Sequence, residues 1–99
     1  MSAVITLQEL EQLKQDNCHI IDIRPPYEYK NNHLPNAVNI PYDVLMMYPE
    51  SYLKRGVTYY LICAHGSLSR RACAILQSYG YNVASVKNGY ILDRRYYCC

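Results

Sequence analysis

Tyr59-Tyr60-Leu61-Ile62-Cys63-Ala64-His65-Gly66-Ser67-Leu68-Ser69-Arg70-Arg71 is the stretch that decides the fold. From Val57 to Ile62 the residues are β-branched, aromatic or aliphatic throughout, which predicts a strand at the centre of a sheet. Cys63 ends that strand, and a short loop containing Gly66 follows. From Ser69 to Tyr79 the residues Ala72, Ile75, Leu76 and Tyr79 recur at i, i+3, i+4 and i+7, the spacing of one helix face. Gly80 then fits the left-handed position just past a helix end.

Working outward, the same alternation of short apolar strands and short helical patterns continues in both directions. Ala3 to Ile5 can form an opening strand, and Thr6 with Glu9 reads as a capping box for a helix from about Leu7 to Gln15, with Ile5 and Leu10 placed as a hydrophobic staple. His19 to Ile23 is the second strand, where Ile20, Ile21 and Ile23 suit coverage on both faces. Pro25 and Pro26 stop it, and Pro26 is placed to start a brief helix through Tyr29. Val38 to Ile40 is a third strand closed by Pro41, and Tyr42 to about Tyr52 holds one or two helical turns. Val83 to Val86 is the last strand, and Asn88-Gly89 a turn after it. The expectation is an α/β fold in which a small, mainly parallel five-stranded sheet is flanked by helices on both faces.

With 99 residues the chain is expected to form a single domain over 1–99, with one modest core. An active site between two domains would need a second copy of the chain. All twelve aromatics are Tyr, so tyrosine does the bulky packing and buried rings need partners for their hydroxyls. The net charge of +2 comes from scattered Lys and Arg; there is no basic stripe for nucleic acid. No segment approaches the ~18 apolar residues that span a bilayer, and the first residues lack the pattern of a signal peptide. A cytoplasmic location is expected, with no membrane partner. Cys18, Cys63, Cys73, Cys98 and Cys99 form neither a CxxC pair nor a Cys/His zinc spacing, so thiols are expected rather than a disulfide framework, and no metal.

Of these cysteines, Cys63 has the setting for chemistry. In α/β sheets ligands bind beyond the carboxyl ends of the strands, and Cys63 ends the central one. Backbone N–H groups of the loop and first helical turn have no intrahelical partner and can converge on the sulfur. Such a cradle favours an anion, so the nucleophilic thiolate gains over the thiol. Gly66 supplies backbone freedom where a side chain would crowd the ring of amides. A cysteine at a strand end is otherwise most often a small buried hydrophobe. That plainer reading suits Cys73, which lies mid-helix beside the core face, and Cys18, which precedes a strand. His65 reads as a solvated loop residue or a contact for the donor.

Asp22-Ile23-Arg24, Glu28-Tyr29, His33-Leu34 and Asn39-Ile40-Pro41 together resemble the rhodanese-family pattern. Cys63-Ala64-His65-Gly66-Ser67 with Ser69 resembles that family's active-site loop, and Tyr81 through Gly89 its closing segment. The resemblance spans nearly the whole chain. It implies a thin α/β domain that moves sulfane sulfur through a persulfide on Cys63, the catalytic residue, with Ala64, His65, Gly66, Ser67, Leu68, Ser69 and Arg70 holding the substrate. The implied partners are a small sulfur donor such as thiosulfate and a thiol or cyanide acceptor, or a protein sulfur carrier; no cofactor is implied. Asn32, Asn36 and Asn88 stand where the family pattern has glycine, and Asn is the residue best able to replace glycine in left-handed turns. Leu68 stands where the family often has a polar residue or Arg. Asp22, Arg24 and Glu28 read as a structural network at the strand-to-helix junction.

Two other readings remain open at this level. Cdc25-like phosphatases and arsenate reductases place an arginine six positions after the cysteine; here that position is Ser69, with Arg70 one further along. A non-catalytic rhodanese-like binding module is the alternative from a different class, although such modules commonly lack the loop cysteine.

Overall fold

The computed structural model describes residues 3–6, 8–9, 19–87 and 89. Five strands, β1 (Ala3–Ile5), β2 (His19–Asp22), β3 (Val38–Asn39), β4 (Thr58–Ile62) and β5 (Asn82–Val86), form one sheet in the order β1-β5-β4-β2-β3. Every neighbouring pair is parallel, and β4 is central, as its β-branched, aromatic and aliphatic residues predict. Parallel neighbours require crossovers rather than hairpins. The connections hold α1 (Pro26–Asn31), α2 (Tyr42–Met47), α3 (Pro49–Tyr52) and α4 (Ser67–Ser78).

The alternation of side chains along β4 builds two cores. Tyr59 and Leu61 face one side, where they pack with Ile21, Val83, Leu45 of α2, and Ala72, Cys73 and Leu76 of α4. Tyr60 and Ile62 face the other, with Ile20, Val86, Leu34, Ala37 and Tyr29 of α1. Helices therefore cover both faces. Leu61, Leu76 and Leu45 are completely buried, and each such side chain contributes about 1.5–3 kcal/mol relative to exposure. The tyrosine hydroxyls find the partners that burial demands: Tyr59 accepts a hydrogen bond from the Lys54 amide at 2.9 Å, and Tyr29 donates to the Ala37 carbonyl.

Three expectations need correction. The helix after the loop begins at Ser67 rather than Ser69, because Gly66 at φ 90° already turns the chain into it. Its buried face is Ser69, Ala72, Cys73 and Leu76; Ile75 is only half-buried and Tyr79 is exposed. The spacing is the one expected, moved back by one turn, since a serine with internal partners and a thiol can line a core as methyl groups do. Asn36 does adopt a left-handed backbone, at φ 69°, whereas Asn32 is extended at φ −167° and needs no glycine-like freedom. The capping box is present, with the Glu9 amide donating to Thr6 Oγ1 and the Thr6 amide to Glu9 Oε1, both at 3.0 Å. Gln8 and Glu9 are helical; the rest of that helix and the Leu10 staple lie outside the described residues, as do Cys18, Asn88, Cys98 and Cys99.

Candidate active site

Cys63 stands immediately after β4, at the carboxyl end of the central strand, and is 4% exposed. Its Sγ accepts the Gly66 N–H at 3.1 Å and the Ser69 N–H at 3.4 Å. Both donors belong to the loop and first turn of α4, where backbone N–H groups have no intrahelical partner. A neutral sulfur is a weak acceptor, whereas a thiolate or persulfide anion placed there would draw on both donors and on the helix dipole. Gly66 makes this geometry accessible, because its φ of 90° is a region other residues rarely enter.

The remaining loop residues sort by exposure. Ala64 and Leu68 are half-buried, His65, Ser67 and Arg70 are exposed, and Leu68 packs against the core beneath the loop. Arg70 is tied into the first turn through its amide, which donates to the Gly66 carbonyl at 3.1 Å. Of the amides from 64 to 69, those of Gly66 and Ser69 reach the resting sulfur. His65 has the solvated position expected of a loop residue.

Two residues that sequence reasoning had not singled out complete the site. Ser85 of β5 is fully buried, and its Oγ lies 2.6 Å from Ser69 Oγ. Its signal was a lone serine in an otherwise apolar strand, Val83-Ala84-Ser85-Val86. Gly89 lies so close to the loop that a Cβ on it would stand 1.9 Å from the Cys63 carbonyl oxygen.

Behind the site, Asp22 and Arg24 form the structural network expected of them. Asp22 accepts the Arg24 amide at 3.0 Å and Arg24 Nη2 at 2.8 Å, with both side chains buried or nearly so. Arg24 also donates to the Asn32 carbonyl at 2.6 Å, and Asn39 Nδ2 donates to the Asp22 and Arg24 carbonyls, each at 2.9 Å. Glu28 is half-buried on α1, and it is Asn32 and Asn39 that bond to the Asp22–Arg24 pair across the junction. Cys73 sits one helical turn below Ser69, completely buried. Burial, reinforced by the nearby Cys63, pushes its thiol up to about 12 from 9.0.

A cysteine closing the central strand of a parallel five-stranded sheet, its sulfur met by amides of the loop and helix behind it, defines a rhodanese-like protein. The chain belongs to that family, whose model, described as the Rhodanese-like domain, matches residues 6–91. Its relatives include the thiosulfate sulfurtransferase GlpE of Pseudomonas syringae, 27% identical over 91% of this chain and 85% of that protein. The adenylyltransferase and sulfurtransferase uba4 of Ogataea parapolymorpha is 33% identical over 73% of this chain, which there corresponds to only 19% of the protein. Among solved structures, a rhodanese-related protein from Thermoplasma volcanium superimposes with a TM-score of 0.82 at 29% identity, covering 90% of this chain and 87% of that one. Among the described residues no helix is long and apolar enough to cross a membrane.

Proposed function

We propose that the chain is a sulfurtransferase that moves sulfane sulfur from thiosulfate or a persulfide donor to a thiophilic acceptor through a persulfide on Cys63. The observation that carries this reading is the pair of N–H groups, from Gly66 and Ser69, directed at Cys63 Sγ. The Cys63 thiolate attacks the outer sulfur of thiosulfate; a new S–S bond forms, the donor's S–S bond breaks, and sulfite leaves with the electron pair. The persulfide keeps one negative charge, which loop amides can hold. Cyanide or a thiolate then attacks the terminal sulfur, and the pair of the S–S bond returns to Cys63. This is covalent catalysis in two half-reactions, with the ping-pong kinetics that follow. Arg70, exposed at the start of α4, adds positive charge where an anionic donor would approach.

The family relationship to GlpE supports a small donor. The name adenylyltransferase and sulfurtransferase borne by uba4 supports a protein sulfur carrier as the second acceptor to test. The phosphatase reading gains nothing, since position 69, where an arginine would be required, holds a serine enclosed by Gly66 and Ser85.

The test is intact-mass measurement of the protein after exposure to thiosulfate. One added sulfur on Cys63, absent in folded Cys63→Ser and lost on addition of cyanide, is the expected result. A folded, thiol-reduced chain that acquires no sulfur from thiosulfate or from small persulfides would instead be a binding module.

A further inference from the structure

We propose that Ser85 is a positioning residue for the Cys63 cradle, acting through Ser69, an inference that rests on the sulfurtransferase reading and deepens it. The register of the sheet puts Ser85 in place. β5 pairs with β4 so that Ser85 lies beside Leu61, two residues before Cys63. Side chains at i and i+2 of a strand share a face, so Ser85 is on the face that α4 covers, beneath the first turn of that helix.

There it meets Ser69 Oγ at 2.6 Å, and Ser69 Oγ in turn donates to the Gly66 carbonyl at 3.0 Å. A hydroxyl has one proton. That of Ser69 is used on Gly66, so the short contact with Ser85 is filled by the Ser85 proton, and the chain of donors runs Ser85 to Ser69 to Gly66. Ser69 and Gly66 are the two residues whose amides meet Cys63 Sγ. The serine pair therefore grips both ends of the cradle from below and fixes them to the strand neighbouring β4. Both serines are completely buried, so water does not compete for these bonds, and a bond accepted by Ser69 strengthens the one it donates.

Stability alone does not require this arrangement. Alanine at position 85 would satisfy an apolar face as well, and Ser69 would keep its bond to the Gly66 carbonyl, so no buried donor is left without a partner. Removing the Ser85 hydroxyl leaves Ser69 bonded to Gly66 but no longer anchored to the sheet, so the amides can drift from the direction that favours a sulfur anion. Ser85 bonds to Ser69 and not to the sulfur, so its effect passes through Ser69.

The experiment measures alkylation of Cys63 by iodoacetamide from pH 6 to 10 in the full chain, the Ser85→Ala and Ser69→Ala variants and the double variant, with folding checked by circular dichroism. Sulfur transfer from thiosulfate is followed separately by intact mass. The expected result is an alkylation rate at pH 7 lowered about three- to tenfold in Ser85→Ala, the range of one hydrogen bond's worth. The plateau at high pH should be unchanged, because access to the sulfur is not altered. The double variant should lose no more than Ser69→Ala alone, since Ser85 works through Ser69. An unchanged low-pH rate in folded Ser85→Ala, a lowered plateau, or losses that multiply in the double variant would each overturn the proposal. Sulfur transfer by the parent with no alkylation change in Ser85→Ala removes the positioning role and leaves the sulfurtransferase reading intact. The expected alkylation pattern in a parent that takes up no sulfur overturns the sulfurtransferase reading, and with it the use proposed for the clamp.

Discussion

The α-carbon of Gly89 rests against the Cys63–Ala64 peptide so closely that a Cβ there would stand 1.9 Å from the Cys63 carbonyl oxygen and 2.9 Å from the Ala64 carbonyl carbon. The turn after β5 thus braces the strand-to-loop junction that presents the sulfur. Gly89 also has φ 55°, so a side chain would face both collision and an unfavourable backbone. Gly89→Ala is expected to lower stability by about 1–3 kcal/mol, as overpacking does. Sulfur uptake by Cys63 should fall by more than stability predicts, because a displacement of about 1 Å at a reacting group costs on the order of a hundredfold. Urea unfolding and the rate of persulfide formation measure the two effects. A stable variant with parental rates would show that the turn gives way without moving the loop.

The Asp22–Arg24 pair makes a contrasting prediction. Arg24 is 8% exposed and Asp22 wholly buried, so removing one partner strands a charge. Asp22→Ala should cost about 3–5 kcal/mol of unfolding free energy, and Asp22→Ala with Arg24→Met should recover much of it, since a buried ion pair is often replaceable as a unit by apolar groups. Denaturant midpoints of the parent, single and double variants decide the matter. A loss in the single variant of under about 1 kcal/mol would mean that water reaches the guanidinium.

Much of this is legible in the sequence, and the misses have physical causes. Strand positions follow from runs such as Ile20-Ile21 and Leu61-Ile62, whose burial on both faces leaves little choice of structure. The buried face of α4 lies one turn nearer its start than the apolar pattern indicates, because Ser69 and Cys73 do not register as apolar, although one is satisfied internally and the other is a small hydrophobe. Cys63 was found from local order alone: strand, cysteine, glycine, helix. Ser85 was not, because its role depends on strand pairing between β4 and β5, and no local pattern shows which strands become neighbours. Gly89 entered only as part of a motif, since close approach between segments distant in sequence leaves no periodic trace.

Charge at the mouth of the site gives a third prediction. Arg70 is exposed in the first turn of α4, and an exposed charge contributes at most about 1 kcal/mol. Arg70→Ala is therefore expected to raise KM for doubly charged thiosulfate by roughly two- to fivefold, with added salt narrowing the difference from the parent. Transfer from a neutral persulfide donor should change much less. Steady-state kinetics with both donors at low and high salt provide the check. Equal losses with both donors would assign Arg70 a structural role, and no loss with either would make it surface charge without function.

Cys73 carries the last prediction, on pH. In the folded chain burial, with a contribution from Cys63, raises this thiol to about 12 from 9.0. Below pH about 9 the thiol is protonated in both folded and unfolded chains, and its contribution is fully present. As pH rises further the unfolded chain releases this proton while the folded chain holds it, so stability falls, by up to about 1.4 kcal/mol per pH unit, until the folded thiol titrates near 12. Because tyrosines and lysines titrate in the same range, the measurement is a difference. Unfolding free energies of the parent and Cys73→Ala are compared from pH 7 to 10.5. At neutral pH the variant should be less stable, for it leaves a small cavity. Above pH about 9 the gap should close, because only the parent carries the alkaline penalty. In a Cys63→Ser background the folded thiol should titrate at a lower pH, since one of the two causes that raise it is gone, so the closing should end sooner. A gap that stays constant across the range would mean that Cys73 reaches solvent in the folded chain. The same difference bears on the proposed chemistry: a thiol held protonated at neutral pH cannot compete with Cys63 for donor sulfur, so alkylation of the native chain should leave Cys73 unmodified.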